Sequence, residues 1–414
     1  MLVPAPFLRP SLPVVASPVI RDDVALEAID PIAWNALAAG HAEGQPFQKH
    51  AFLSALHETG CASRASGWAP RYVTAWHDRV LVGALPLYGK THSYGEYVFD
   101  WAWADAYRRY GRRYFPKLVA AIPFTPVPGL RVLAADLQIR RALFEYALGL
   151  VRDGGFSSLH ILFPPAEQQA EGAALGMIPR AGIQFHWTNP GYRDFADFLA
   201  ALAREKRKKI RQERRNLAAA GVSFVRKEGR AITPADWAFF FQCYTRTYRA
   251  HHATPYLTLA FFQRLGETLA DHLLLVVGHR SGRPICAALD IFDGAALWGR
   301  YWGTIEFVSG LHFEACYYQA IEFCIERRIG RFEGGAQGVH KLARGLLPAT
   351  TYSLHAIGDP DFASAIADYC ARERVDIAHT VDELELATPF RGPPAQDSER
   401  VSVYKPVCGE AGDP

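Results

Sequence analysis

Apolar and polar positions along the chain fall into two series that run in the same order. Ile29-Asp30-Pro31-Ile32-Ala33-Trp34 recurs as Ile232-Thr233-Pro234-Ala235-Asp236-Trp237, at an offset of 203. In each copy Asp30 or Thr233 is placed to cap a helix, proline takes the first helical position, and tryptophan follows one turn on. His50-Ala51-Phe52-Leu53 with Glu58-Thr59 matches Leu259-Ala260-Phe261-Phe262 with Glu267-Thr268, and both stretches predict short amphipathic helices. A hairpin follows in each half. Tyr72–Trp76 and Val80–Tyr88 flank the turn His77-Asp78-Arg79, while Leu273–Gly278 and Ile285–Phe292 flank His279-Arg280-Ser281-Gly282. Each series closes with a helix and a strand: Arg141–Asp153 into Ser158–Phe163, and Ala315–Arg328 into Arg331–Glu333.

Phe156 aligns with Ile329, an offset of only 173. The first copy therefore holds about 30 residues that the second lacks, between Tyr88 and Leu130. The pattern predicts an α+β chain of two tandem domains related by duplication, each a mixed sheet with helices packed on it. The expected limits are a flexible segment 1–20, a first domain 21–190 with an insertion at 88–130, a connecting helix within 191–221, a second domain 222–390, and a flexible tail 391–414.

Composition narrows the class. The chain has 414 residues, half of them hydrophobic and 21% charged, which is enough apolar material for a large core and excludes a disordered polyelectrolyte. Net charge is +3, too little for a globally basic nucleic-acid coat. Seven cysteines include no CxxC pair, and neither HExxH nor another metal spacing occurs, so no metal is expected. The expected compartment is a reducing cytoplasm. Prolines interrupt the apolar N-terminus, and no run is long enough to predict a transmembrane helix.

Charge is concentrated locally. Residues 204–215 hold eight basic and two acidic side chains within an amphipathic helix predicted over 194–220. Phe195, Phe198, Leu199, Leu202, Ile210 and Leu217 form its apolar face. Arg204, Arg207, Lys208, Arg211, Arg214 and Arg215 lie opposite, a stripe suited to phosphates of a nucleotide, an RNA or a lipid headgroup.

The insertion is rich in aromatic residues interleaved with His92, Ser93, Glu96 and Asp100, and Tyr94 and Trp101 belong to the same wall; such a mixture suits a ligand cleft. A glycine-rich turn follows the strand at Phe332-Glu333. It runs Gly334-Gly335-Ala336-Gln337-Gly338 and continues into His340, Lys341 and Arg344. Its backbone can approach an anion or a carbonyl, and the trio supplies a base and positive charge. Arg300-Tyr301-Trp302, His312 with Glu314, and His186 are further polar positions at element ends. GxxxxGK[ST], GxGxxG and GxSxG are absent, which removes the P-loop, dinucleotide and serine-hydrolase readings.

The blocks Leu297–Gly303, His312–Glu322 and Phe332–Gly345, together with His92–Trp101 and Lys206–Arg211, resemble the bacterial Fem-like (FemAB-type) family of peptidoglycan biosynthesis or recognition, within the GNAT acyltransferase superfamily. The resemblance spans roughly residues 40–375. It implies two tandem GNAT-like domains and transfer of an acyl or aminoacyl group, from acyl-CoA or aminoacyl-tRNA as co-substrate, to a primary amine such as that of a cell-wall precursor. No bound cofactor is implied. The chain departs from the family's usual glycine block, with Gly335 where a proline is common and Val339 where a glutamate is common.

On this reading His340 or Glu314 accepts the amine proton and the backbone around Gln337-Gly338 polarises the acyl carbonyl. Lys341, Arg344, Lys208 and Arg211 hold donor phosphates, tRNA or a nucleotide-linked acceptor. The acceptor pocket takes His92, Ser93, Tyr94, Glu96, Asp100, Trp101, Arg300, Tyr301, Trp302, His312 and His186. The rival reading is a non-catalytic protein that binds a precursor or RNA on the same duplicated scaffold. A third places the basic helix on an anionic membrane surface.

Overall fold

The computed structural model describes residues 17–39, 45–335 and 338–391. The first half runs β1 (Val19–Arg21), α1 (Pro31–Ala39), α2 (His50–Glu58), β2 (Trp68–His77), β3 (Val80–Lys90), α3 (Trp101–Arg109), β4 (Lys117–Ala120), α4 (Leu137–Arg152), β5 (Ser158–Leu162), α5 (Ala166–Ala174) and β6 (Ile178–Thr188). Two helices follow, α6 (Phe195–Ala201) and α7 (Arg204–Ala219). The second half runs β7 (Val222–Glu228), α8 (Pro234–Ala250), α9 (Leu259–Thr268), β8 (Leu273–Arg280), β9 (Arg283–Phe292), β10 (Ala296–Thr304) and α10 (Leu311–Phe313). A π-helical turn (Glu314–Tyr318), α11 (Gln319–Arg327), β11 (Arg331–Glu333), β12 (Leu347–Ile357) and α12 (Pro360–Leu386) complete it.

Local chemistry sets these boundaries. Thr233 accepts from the Asp236 amide and Asp236 reaches back, closing a capping box in front of Pro234. Asp136 caps α4 and Asp359 caps α12. The predicted repeat holds: Trp34 and Trp237 are both buried in one core, and Phe52 of α2 meets Phe261 of α9 edge to face at 5.7 Å. That core spans both halves on one side of the sheet. On the other side α4 packs on the first half, while α7 and α11 pack on the second. The extra length of the first half is divided by β4: it lies between antiparallel β3 and β4, where the second half has only a short turn between β9 and β10, and between β4 and α4, so the expected insertion 88–130 contains a strand that the second half also has, as β10.

Among the described residues twelve strands form one sheet, ordered β1-β2-β3-β4-β5-β12-β6-β11-β10-β9-β8-β7. The last strands of the halves cross over. β12 inserts between β5 and β6, and β6 pairs antiparallel with both β12 and β11.

Two expectations change. Residues 19 and 20 of the expected flexible segment belong to β1, which pairs with β2 through Ile20–Ala75. The single helix predicted over 194–220 is two, because Leu202 and Ala203 are extended and Leu202 bridges to Phe390, which takes the chain out of helical geometry. Residues 1–16 and the tail beyond residue 391 lie outside the described residues.

Candidate active site between the halves

The second half's crossover, from β10 through α11 to the parallel strand β11, departs from regular geometry at three points. β10 is bulged against β9, so that Gly299 faces Asp290 and Tyr301 faces Leu289, with Arg300 as the extra residue. The helix after it begins with the π-turn over Glu314–Tyr318. The chain after β11 then turns through Gly335 and Gly338 at φ +86° and +115°. Gly338 is required sterically as well as conformationally, since a Cβ there would lie 2.5 Å from the His340 ring. Bulges and π-turns are both enriched beside functional sites.

These irregularities enclose a cavity of about 130 Å³ lined by Asp290, Arg300, Tyr301, Trp302, His312, Cys316, Tyr317, Gly334 and Gly335. His340 sits at its rim, its Nε2 3.2 Å from the Tyr317 hydroxyl, which is part of the wall. Lys341 Nζ donates to the Gly335 carbonyl at 2.8 Å and fixes the turn. Arg344 lies 3.4 Å over the Phe313 ring and donates to the His340 carbonyl and to Glu213.

Burial shifts the ionisable groups toward neutrality. His312 is pushed down to about 4, chiefly by desolvation and then by His340, Lys341 and Arg344. Desolvation followed by the charges of Lys341 and Arg344 also holds His340 below its ordinary 6.5. Lys341 falls to about 8 through desolvation. Glu333, buried beside His186, rises to about 7 for the same reason.

α7 docks on the outer side of this site. Arg214 clasps both oxygens of buried Glu314 at 2.8 to 3.1 Å and also reaches Glu322, while Glu213 holds Arg344 and the Tyr318 hydroxyl. Arg214 is therefore withdrawn from the free basic stripe in which the periodicity places it. The reason is that Glu314 and Glu322 face it across the helix interface and Phe195 stacks beneath its guanidinium at 4.5 Å. Lys208 and Arg211 remain exposed and make no ion pair among the described residues.

The residues expected in one acceptor pocket separate into four places. Arg300, Tyr301, Trp302 and His312 line the small cavity. His92, Tyr94 and Trp101 line a second one of about 660 Å³, closed from the other half by His251, His252, Thr254, Pro255 and Tyr256. Arg300 links the two, because its Nη2 donates 2.7 Å to the carbonyl of Phe124, a wall of the larger cavity.

Ser93, Glu96 and Asp100 line neither cavity. They surround Lys117, buried with them, which donates to all three, and Tyr114 donates to Asp100 at 2.6 Å. A lysine on the inner face of β4 has to be neutralised locally, so these acids answer it rather than the cleft. Desolvation outweighs Lys117 at Glu96, raising it to about 7, whereas the Lys117 and His160 charges carry Asp100 down to about 2 against its own desolvation.

His186 stands on β6 with Nε2 3.3 Å from Gln184, outside both cavities. Glu314 is buried with its oxygens taken by Arg214 and Gln319. Gln337 lies outside the described residues, and among those described no cluster could hold a metal.

Asp290 and Tyr317 were not singled out from the sequence. Asp290 carried a signal, as the one charged residue in the apolar run Ile285–Phe292. Tyr317 carried none beyond its place in the resembling block.

The model of a family described as peptidoglycan biosynthesis and recognition, FemAB-like, matches residues 25–392. No curated protein matches the chain. Among solved structures, FemX is similar over 82% of this chain and 98% of its own, with TM-score 0.52 and 11% identity. The L-PGS of Bacillus licheniformis aligns over 83% of this chain and 97% of its own at TM-score 0.49 and 8% identity. A tandem GNAT protein from the clavulanic acid pathway aligns over 83% and 99% at TM-score 0.44 and 13% identity. The duplicated α+β fold is thus shared with FemX.

Proposed function

The chain belongs to the FemAB-like peptidoglycan biosynthesis and recognition family, and from that premise we propose that it is a cytoplasmic N-acyltransferase moving an acyl or aminoacyl group from a CoA or tRNA carrier to a primary amine of a cell-wall precursor. The observation that carries this reading is the contact between the Tyr317 hydroxyl and His340 Nε2 at the edge of a small cavity that Arg300 joins to a larger one.

The acyl group occupies the small cavity, and the acceptor enters by the aromatic one, past His92, Tyr94 and Trp101. The amine nitrogen attacks the acyl carbon to give a tetrahedral intermediate, which becomes the amide when the carrier departs. Its proton passes to His340 Nε2, directly or through the Tyr317 hydroxyl, which gives its own proton to His340 as it takes the amine's. The bond from carbonyl carbon to the carrier oxygen or sulfur then breaks, and the carrier leaves with a proton returned from His340. Lys208 and Arg211, exposed on α7, hold the carrier's phosphates, while Lys341 and Arg344, buried and engaged with the Gly335 carbonyl and Glu213, set the turn and the positive potential behind them. Glu314, with both oxygens occupied by Arg214, serves as the strut that seats α7. Six described cysteines are free thiols, in keeping with a reducing compartment.

The test is incubation of the full chain with a wall-precursor nucleotide and either acyl-CoA or charged tRNA, followed by mass spectrometry of the precursor and by thermal shift. Acylated precursor, with stabilisation by donor and acceptor together, is the expected result. Stabilisation by precursor alone, with no acylated product from either donor, overturns the reading in favour of a recognition protein.

A further inference from the structure

We infer that the Asp290 carboxyl donates a hydrogen bond to the carbonyl oxygen of the acyl group being transferred. This rests on the acyl-transfer reading above and assigns a residue that the proton path does not use.

Asp290 lies on β9 in an otherwise apolar stretch and is 1% exposed. Asp290 borders the small cavity, and its Oδ2 has no hydrogen-bond partner among the described residues. No cation is spent on it. Arg300, the bulged residue, gives Nη2 to the Phe124 carbonyl, and Lys341 gives Nζ to the Gly335 carbonyl. The other titratable groups around the same cavity are Tyr301 on β10, His312 on α10, and Cys316 and Tyr317 on the π-turn; none bonds to Oδ2.

A buried carboxylate without a partner is so costly that the group takes up a proton instead, and burial pushes Asp290 well above the ordinary carboxylate range. A neutral carboxyl is a hydrogen-bond donor, and carboxylic acids kept protonated in apolar sites serve enzymes in that way. The scaffold gains nothing from this one, since an isosteric apolar side chain would spare the unmet polar atom. β10 bulges directly opposite, pairing Asp290 with Gly299, so no side chain from that position covers the carboxyl.

A donor fixed on a buried side chain strengthens as negative charge develops on the carbonyl oxygen in the tetrahedral intermediate, and removal of one such donor costs roughly 10²- to 10³-fold in kcat. Asp290 keeps its own proton throughout, so the balance of the transfer is unchanged.

The experiment compares Asp290→Asn, Asp290→Ala and Asp290→Leu in the full chain. Infrared difference spectra in D2O, wild type minus Asp290→Asn, should show the carbonyl band of a protonated carboxylic acid at neutral pH. Asp290→Asn, whose amide still donates, should keep kcat within about tenfold of wild type, whereas Asp290→Ala should lose about a hundredfold or more with KM little changed. Asp290→Leu should melt no lower than wild type. An ionised Asp290 at neutral pH, a fully active Asp290→Ala, or an Asp290→Asn as impaired as Asp290→Ala in an active protein each overturns this role alone; the last would mean a negative charge that binds a cation. Wild-type protein that acylates no acceptor overturns the transfer reading, and this role with it, whatever the band shows.

Discussion

The two halves contain the same crossover, strand to helix to parallel strand, and treat it in opposite ways. In the first half the connection from β4 to α4 is buried from 121 to 134 except at half-buried Pro128. Arg131 fills it, donating to the carbonyls of Val127, Gly129, Leu130 and Leu162, and the space beside it has a volume of about 0 Å³. In the second half the connection from β10 is short, none of residues 305–310 is buried, and Phe307 is 89% exposed. The helix there passes through a π-turn, the strand is bulged, and a buried carboxyl oxygen has no partner among the described residues. One copy has become core and the other keeps a cavity. Duplication leaves two equivalent positions, and packing decides which of them can hold a reacting group.

The strongest way to break this comparison is His340→Ala, at the rim of the open crossover. Loss of a positioned base should lower turnover about 10²- to 10⁴-fold while stability changes by less than about 0.5 kcal/mol. The pH profile sharpens it. His340 must be neutral to accept a proton and titrates below 6.5, so activity should fall as pH drops through that lowered value. Lys341 loses its charge near about 8, so an alkaline limb should appear there and vanish in Lys341→Met.

In the closed crossover, Arg131→Met strands buried carbonyls and should cost about 3 kcal/mol or more by denaturant titration, with Phe307→Ala as the near-neutral counterpart. Glu314→Gln should cost roughly 1–3 kcal/mol and loosen α7 without moving the acid limb, whereas a base at this position would move it. The smallest effect is expected for Lys208→Ala with Arg211→Ala: KM for the carrier up by roughly threefold to tenfold, a difference that shrinks as salt is added.

Much of the fold was legible because it is written locally. Asp30-Pro31 and Thr233-Pro234 announce helices, the hairpins alternate, and the shrinking offset places the extra length between β3 and α4. Strand exchange was not legible. That β12 pairs with β5, and β6 with β11, is a contact between residues more than a hundred positions apart, and no periodicity encodes it. The break at Leu202-Ala203 escaped for the same reason, since Phe390 pairs there from the far end of the chain.

At the site, the turn carrying His340, Lys341 and Arg344 was readable from its glycines, and its closeness to α7 emerges in the Arg344–Glu213 pair. The acids of the insertion misled. Glu96 and Asp100 look like ligand groups in one dimension, and only the sheet shows that Lys117 faces them. Asp290 was visible as a lone charge in an apolar strand, but nothing in sequence told whether a partner awaited it.

The central claim is tested most directly by a structure of the full chain with a non-transferable donor analogue bound, an amide in place of the reactive ester or thioester. The account predicts the acyl carbonyl between Asp290 and Tyr317, and the carrier's phosphates toward Lys341, Arg344 and the exposed face of α7. Density for the acyl group beside Tyr94 and Trp101, or in the first-half crossover at Arg131, would contradict it.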